Sequence, residues 1–156
     1  SDIFDTETFD LYARYIKERH ADGDMYPPDK DQYQSFLNNG LGNTRYFRLY
    51  DKQRLVGVMV SDQMLDGLSA IYTFYEPTEE RRSLGTFSVL YQVELARTSN
   101  LDHVYLGYWI QTCEKMSYKA RFKPLEMLVG GEWQREDALS GPDDIAVTEL
   151  CFVEKP

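Results

Sequence analysis

Cysteine is nearly absent from this 156-residue chain: Cys113 and Cys151 are the only two. Two thiols so far apart build neither a disulfide framework nor a four-ligand zinc cluster, so a reducing, cytoplasmic setting is expected and no metal is. No run of 18 apolar residues occurs, which excludes a helical membrane span. The basic-then-apolar pattern of a secretory leader is missing. Ser1 stands where an initiator methionine would, as expected of a processed or trimmed chain. Internal repeats and low-complexity tracts are also lacking. Bases are scarce, 17 against 26 acids, and the net charge of −9 argues against nonspecific nucleic-acid binding by the whole surface.

What the chain has in quantity is aromatic side chains, with twelve Tyr and eight Phe. Its length suits one domain spanning 1–156, enough to bury roughly two-thirds of the unfolded surface. The acidic total conceals a local reversal. From Cys113 to Lys123 four bases (Lys115, Lys119, Arg121 and Lys123) face Glu114 alone, whereas residues 125–156 carry eight acids and two bases. A cationic spot in an acidic body suits a localised anion; the same residues also suit a solvated helix face.

Along the chain, Phe9, Tyr12, Ala13 and Ile16 recur at helical spacing behind Asp5 or Thr6 as N-cap. Gly23, Pro27 and Pro28 break that helix, and a short second one follows, ended by Asn39 and Gly40. Three strand-like runs, residues 45–50, 54–62 and 68–75, are separated by "DKQ" and "MLDG", as in an antiparallel meander. A helix is expected over residues 83–98. "HVYLGYWI", residues 103–110, reads as a strand covered on both faces. A helix from Thr112 through Phe122, stopped by Pro124, comes next. "LEMLV" and "AVTELCFVE" close the chain as two strands around a Gly- and Asp-rich loop.

This order is α/β with a mixed sheet, and it resembles the GNAT (N-acetyltransferase) architecture. That architecture begins with a strand before its two helices; here the first strand is expected to be missing or to precede Ser1. At "YEPTEERRSLGTF" a strand hands to a helix start. There the unpaired N–H groups and the dipole favour an anion, with Arg81 and Arg82 beside Ser83 and Gly85. "RSLGTF" matches half of the acyl-CoA pyrophosphate loop Q/R-x-x-G-x-G/A; Phe87 occupies the final small position and argues against acyl-CoA.

"FYEPTEERRSLGTFSVLYQVELAR" and "VYLGYWIQTCEKMSYKARFKP" together resemble the carboxy-terminal domain of the aminoacyl-tRNA–protein transferases. The bacterial aspartate/glutamate leucyltransferase branch is the nearest likeness, and "RYIKERHADGDM" and "LSAIYTFYEP" extend it over about residues 9–126. That family also carries a cysteine-rich amino-terminal region, which is not among these residues, so no metal is expected from the resemblance. The resemblance implies transfer of leucine from aminoacyl-tRNA to the α-amine of proteins that begin with Asp or Glu, a mark for N-end-rule degradation, without a cofactor. It places the terminal tRNA phosphates on Arg81, Arg82, Ser83 and Gly85. Lys115, Lys119 and Arg121 meet further phosphates or the acidic acceptor. Tyr118 is a general acid or a packing residue, and Glu76 a proton acceptor or a solvated turn carboxylate. Tyr105, Tyr108 and Trp109 line the aminoacyl pocket, stack on the terminal adenine, or belong to the core. His20 and His103 have no partner at metal or triad spacing.

Three other readings fit parts of the sequence: arginine as the donated residue, an acetyl-CoA-dependent N-acetyltransferase, and a non-catalytic interaction module. With the first strand missing, the strand at residues 45–50 is expected to present an open edge, to recruit a second copy, and to leave the isolated chain short of full activity.

Overall fold

Asp5 caps α1 (Thr6–Arg19) by accepting the Thr8 N–H at 2.9 Å, which settles the choice between Asp5 and Thr6. Arg48 closes on the same carboxylate at 2.8 Å. Asp29 does the same capping work for α2 (Lys30–Leu37), ahead of which two prolines forbid helix. The computed structural model describes residues 3–38, 42–140 and 147–153. Asn39 and Gly40, expected to end α2, lie outside the described residues; Asn38 is its C-cap.

The meander follows as β1 (Thr44–Asp51), β2 (Arg54–Gln63) and β3 (Gly67–Tyr75). β1 and β2 pair antiparallel through a two-residue turn in which Lys52 takes a positive φ of 55°. β2 turns into β3 over three residues, closed by a 2.8 Å hydrogen bond from the Met64 N–H to the Gly67 carbonyl. A 3-10 segment (Pro77–Arg82) leads to α3 (Leu84–Thr98), and β4 (His103–Ile110) returns parallel to β3. A second 3-10 segment (Glu114–Arg121), β5 (Leu125–Val129), β6 (Glu132–Arg135) and β7 (Val147–Val153) complete the described chain. The strand order is β1-β2-β3-β4-β7-β5-β6.

Contacts divide the chain into two compact units, Ser1–Asp62 with Tyr72–Ser88, and Gln63–Ile71 with Val89–Pro156. In the first, the apolar face of α1 (Leu11, Tyr12, Ile16) and Tyr33 and Leu37 of α2 bury against Val58 and Val60 of β2 and Phe74 of β3. Aromatic rings dominate this core: Tyr12 and Tyr33 lie 4.7 Å apart, and Phe74 meets Tyr12 edge-on at 5.5 Å. The Tyr33 hydroxyl donates to the Ile3 carbonyl, which permits a phenol in so dry a place, and burial pushes its pKa well above the usual range. In the second unit, Val89 and Ala96 of α3 join Leu68, Val104, Leu106, Leu125, Met127 and Leu150. Among the described residues no helix is long and apolar enough to cross a membrane.

Three expectations change. β4 is not covered on both faces: Val104, Leu106 and Trp109 are buried while Tyr108 is 64% exposed. An aromatic strand reads as apolar throughout, yet tyrosine tolerates water at its hydroxyl end. Residues 114–121 form a 3-10 segment in place of an α-helix, with Cys113 at the N-cap position and no side-chain cap. A segment this short, without a cap and with no fully buried residue, gains too little to repay helix nucleation. β6 is a strand that the sequence reading passed over. Gly130 and Gly131, at φ 63° and 85°, form the two-residue turn that pairs it with β5.

The cap on α1 yields a stability prediction. The Thr8 backbone N–H, then Arg48, holds Asp5 below its usual pKa, so its contribution is present above the unfolded value near 3.9 and fades as pH falls through the lower folded value. Asp5→Ala should cost about 1 kcal/mol in urea melts at pH 7. That difference should vanish below about pH 3.

Candidate functional site

In the first unit the candidate residues gather where β3 ends. Glu76 is buried, 7% exposed, because its charge is met on both oxygens. Arg14 of α1 approaches Oε2 with Nε at 3.2 Å and a terminal nitrogen at 3.1 Å, and Thr78 Oγ1 lies 3.2 Å from Oε1. The Glu76 N–H also donates to the Val56 carbonyl at 2.9 Å. A carboxylate placed this way locks α1 to the end of β3. One turn along α1, Arg19 lies over the Tyr75 ring, donates to its hydroxyl at 3.2 Å, and pairs with Glu80 at 3.2 Å. An open concavity of about 510 Å³ is lined by Arg14, Lys17, Arg19, Glu76, Thr78 and Glu80, among others. Sequence reasoning missed the α1 cations in it. The signal was there, since Arg14, Lys17 and Glu18 recur at three- and four-residue spacing on one exposed face.

Arg81 and Arg82 end the first 3-10 segment, both exposed. Arg82 pairs with Asp51 at 3.0 Å and more loosely with Glu79 at 3.8 Å. Ser83 takes a left-handed conformation (φ 49°, ψ 47°), and its N–H closes the 3-10 turn on the Glu80 carbonyl. Its own carbonyl accepts the Phe87 N–H at 2.9 Å, so α3 starts at Leu84. The first-turn N–H groups of Leu84, Gly85 and Thr86 therefore have no acceptor within the helix, the arrangement expected of an anion seat. A Cβ on Gly85 would meet the Tyr75 ring at 3.4 Å, an ordinary contact, so packing does not demand glycine there.

In the second unit the decisive feature is a register shift. β4 and β7 lose step between Tyr105 and Gly107, and Gly107 has φ +74°. Without that bulge Tyr105 and Trp109 would share a face. With it, Trp109 turns into the core at 8% exposure, and Tyr105 and Tyr108 both lie outside it. Of the places open to Trp109 (aminoacyl pocket, stack on the terminal adenine, or core), the structure puts it in the core cluster. Its Nε1 has no partner among the described residues. Tyr105 is held by Asp66, whose two carboxylate oxygens lie 3.2 and 3.1 Å from its hydroxyl; burial, then Asp66, pushes the phenol up to about 12.

The basic segment presents its groups unequally. Lys115 and Arg121 are exposed, whereas Lys119 is partly buried and donates from Nζ to the Tyr108 carbonyl at 2.8 Å. Burial lowers the Lys119 pKa. Tyr118 is 37% exposed, with its ring edge-on to Phe122 at 6.4 Å. Tyr108, Tyr118 and the three cations are therefore displayed by neighbouring elements. Neither cysteine forms a disulfide, and Cys151 is buried with its thiol pushed up to about 12 by desolvation. His20 sits 3.3 Å from the Tyr15 hydroxyl and His103 3.3 Å from Asp66. Among the described residues no cluster of His, Cys, Asp or Glu is set to hold a metal.

Comparison with known proteins adds the following. The family described as "Arginine-tRNA-protein transferase, C terminus" matches residues 7–129. A Pseudomonas fluorescens (strain SBW25) protein named aspartate/glutamate leucyltransferase is 53% identical over 130 residues, 83% of this chain and 55% of that protein. One of the same name from Acinetobacter baumannii (strain ATCC 17978) is 48% identical over 137 residues, 88% of this chain and 51% of that protein. The chain spans about half the length of these curated relatives. Among solved structures, the ribosomal-protein-S18-alanine N-acetyltransferase of Escherichia coli aligns with a TM-score of 0.58 at 10% identity, over 96% of this chain and 89% of that one. A GNAT-family acetyltransferase of Staphylococcus aureus aligns at 0.59 and 11% identity, over 97% and 96%. These establish the GNAT fold expected from the order of elements, and only the fold.

Gly85 provides a test that needs no ligand. Since a methyl group fits and alanine favours helix, Gly85→Ala should leave stability unchanged or raise it by up to about 1 kcal/mol in urea melts. A clear loss would show that the backbone there is tighter than its contacts indicate.

Proposed function

The chain belongs to the arginine-tRNA-protein transferase family, matching its C-terminal part, and on that premise we propose that it moves an amino acid from aminoacyl-tRNA to the N-terminal α-amine of proteins beginning with Asp or Glu. Leucine is the proposed donor residue, and the cytoplasm the proposed location. The observation carrying this reading is the 53% identity to a protein named for that activity. Arginine is the second reading, favoured by the description of the family model itself.

The reaction joins the acceptor nitrogen to the aminoacyl carbonyl carbon and breaks the ester bond to the tRNA 3′ oxygen, so one proton must leave the amine and one must reach that oxygen. The ester is already activated, which leaves the protein chiefly to orient it and to polarise its carbonyl. We assign the terminal phosphates to Arg81, Arg82 and the open amides around Ser83 and Gly85. Lys115 and Arg121, long exposed cations, suit further tRNA phosphates. Tyr118 supplies the proton to the departing oxygen, and Tyr108 offers a face for the terminal base. Proton removal through Glu76 requires Arg14 to give up its contact; with that contact kept, Glu76 anchors α1. Copies of the chain associate through the outer edge of β1, which a concentration series by sedimentation would test.

The direct test offers this chain radiolabelled leucyl-tRNA, arginyl-tRNA and acetyl-CoA with an Asp-initiated peptide, beside the intact Pseudomonas fluorescens relative. Leucine incorporation is expected; acetyl incorporation alone would overturn the reading.

Arg82→Ala should weaken charged-tRNA binding by roughly tenfold or more, as loss of a charge-assisted contact does. Its exposed pairs with Asp51 and Glu79 contribute about 0–1 kcal/mol, so Tm should fall little. Normal binding with early melting would make Arg82 structural. Gly85→Ala should likewise weaken the donor complex, though it does not destabilise the fold.

A further inference from the structure

The Lys119 ammonium has three donors and uses one on the Tyr108 carbonyl, leaving two. Arg14, Arg48, Arg82 and Lys123 each meet a carboxylate. Lys119 has none within 4.0 Å among the described residues, although it is the partly buried cation of its segment. A cation withdrawn from water without a carboxylate partner is costly, and burial accordingly depresses its pKa, offset only in part by the Cys113 sulfur. Beside it the backbone is bare. Gly107 carries no side chain, and among the described residues, its two chain neighbours aside, a Cβ built there would meet only the Lys119 Nζ within 4 Å, at 3.9 Å. The positive φ of Gly107 explains the glycine; its consequence is an open notch next to an under-compensated ammonium, flanked by the exposed Tyr108.

We propose that this notch is the specificity site for the acceptor, in which Lys119 takes the side-chain carboxylate of a polypeptide beginning with Asp or Glu. The inference rests on the transferase reading and assigns within it the residue that distinguishes acidic from neutral first residues. A carboxylate fits better than a phosphate. The notch offers one compact point charge with two donors, whereas phosphate sites collect several cations and favour the arginine fork. Lys115 and Arg121, exposed on the same segment, are the groups placed for phosphates.

The test measures peptide binding directly, without tRNA, by calorimetry on this chain. Two peptides differing only in a first residue of Asp or Asn are compared for wild type, Lys119→Met and Lys119→Arg. Wild type should prefer the Asp peptide by roughly tenfold. Lys119→Met, which keeps the buried stem, should bring that ratio near one, and Lys119→Arg should retain part of it. A wild type without preference, or a preference unchanged in Lys119→Met, overturns the proposal. So does a loss of charged-tRNA binding in Lys119→Met with the peptide ratio intact, which would place Lys119 on phosphate. Leucine transfer that proceeds while the ratio ignores Lys119 overturns this assignment alone. A ratio that depends on Lys119 in a chain that transfers nothing supports the carboxylate site and overturns the transferase reading instead.

Discussion

One residue in the left-handed region of backbone space organises the candidate site of the second unit. Gly107 lets β4 slip one position against β7, and side chains on a strand alternate, so the slip reverses the facing of everything beyond it. Trp109 goes inward to Leu106 and Leu150, Tyr108 goes outward, and the Tyr108 carbonyl is left to accept the Lys119 ammonium. Core, exposed aromatic and cation seat thus follow from the same backbone irregularity. Any side chain at Gly107 would have to pay the steric cost of a positive φ as well as intrude beside Lys119.

The first unit answers a different problem, that of ending a strand and a helix together with charged groups. Glu76 lies almost out of water, and a lone carboxylate there would be costly. Arg14 and Thr78 satisfy it, and through Arg14 the end of β3 is tied to α1. The chain then has to reverse into α3 within a few residues. The left-handed Ser83 makes that turn, and the first amides of α3 have no acceptor within the helix. Backbone geometry, and not net charge, determines where donors without a helical acceptor collect, which is how an acidic protein can present them locally.

Much of the architecture was legible beforehand. Helical spacing behind Asp5 or Thr6 and three strand-like runs parted by turn residues placed α1 and β1 to β3 to within one or two residues. The order of elements indicated the fold, and two long motifs indicated the family. The failures share a cause. β4 reads as uniformly buried because tyrosine and tryptophan count as apolar in a pattern, though one ends in a hydroxyl that keeps to water. Residues 114–121 carry helix-forming side chains, yet only contact with a partner surface makes a short helix stable. β6 is signalled by Gly130 and Gly131, a two-glycine turn that suits a hairpin, but "EWQR" is too brief to show a period.

What is local or recorded in whole motifs could be read from the residues alone: the three strand runs of the meander, the cationic segment from Cys113 to Lys123, and the family likeness. Only the tertiary structure decided which of those residues act together. Arg14 meets Glu76 across 62 positions of chain. Trp109 leaves the site and Lys119 enters a notch because β4 slips at Gly107. Spacing along a chain reports what one element can do alone; register, burial and the charge opposite a side chain depend on elements distant in sequence, and these decide whether a lysine stands in solvent, as Lys115 does, or is drawn in against a backbone carbonyl, as Lys119 is.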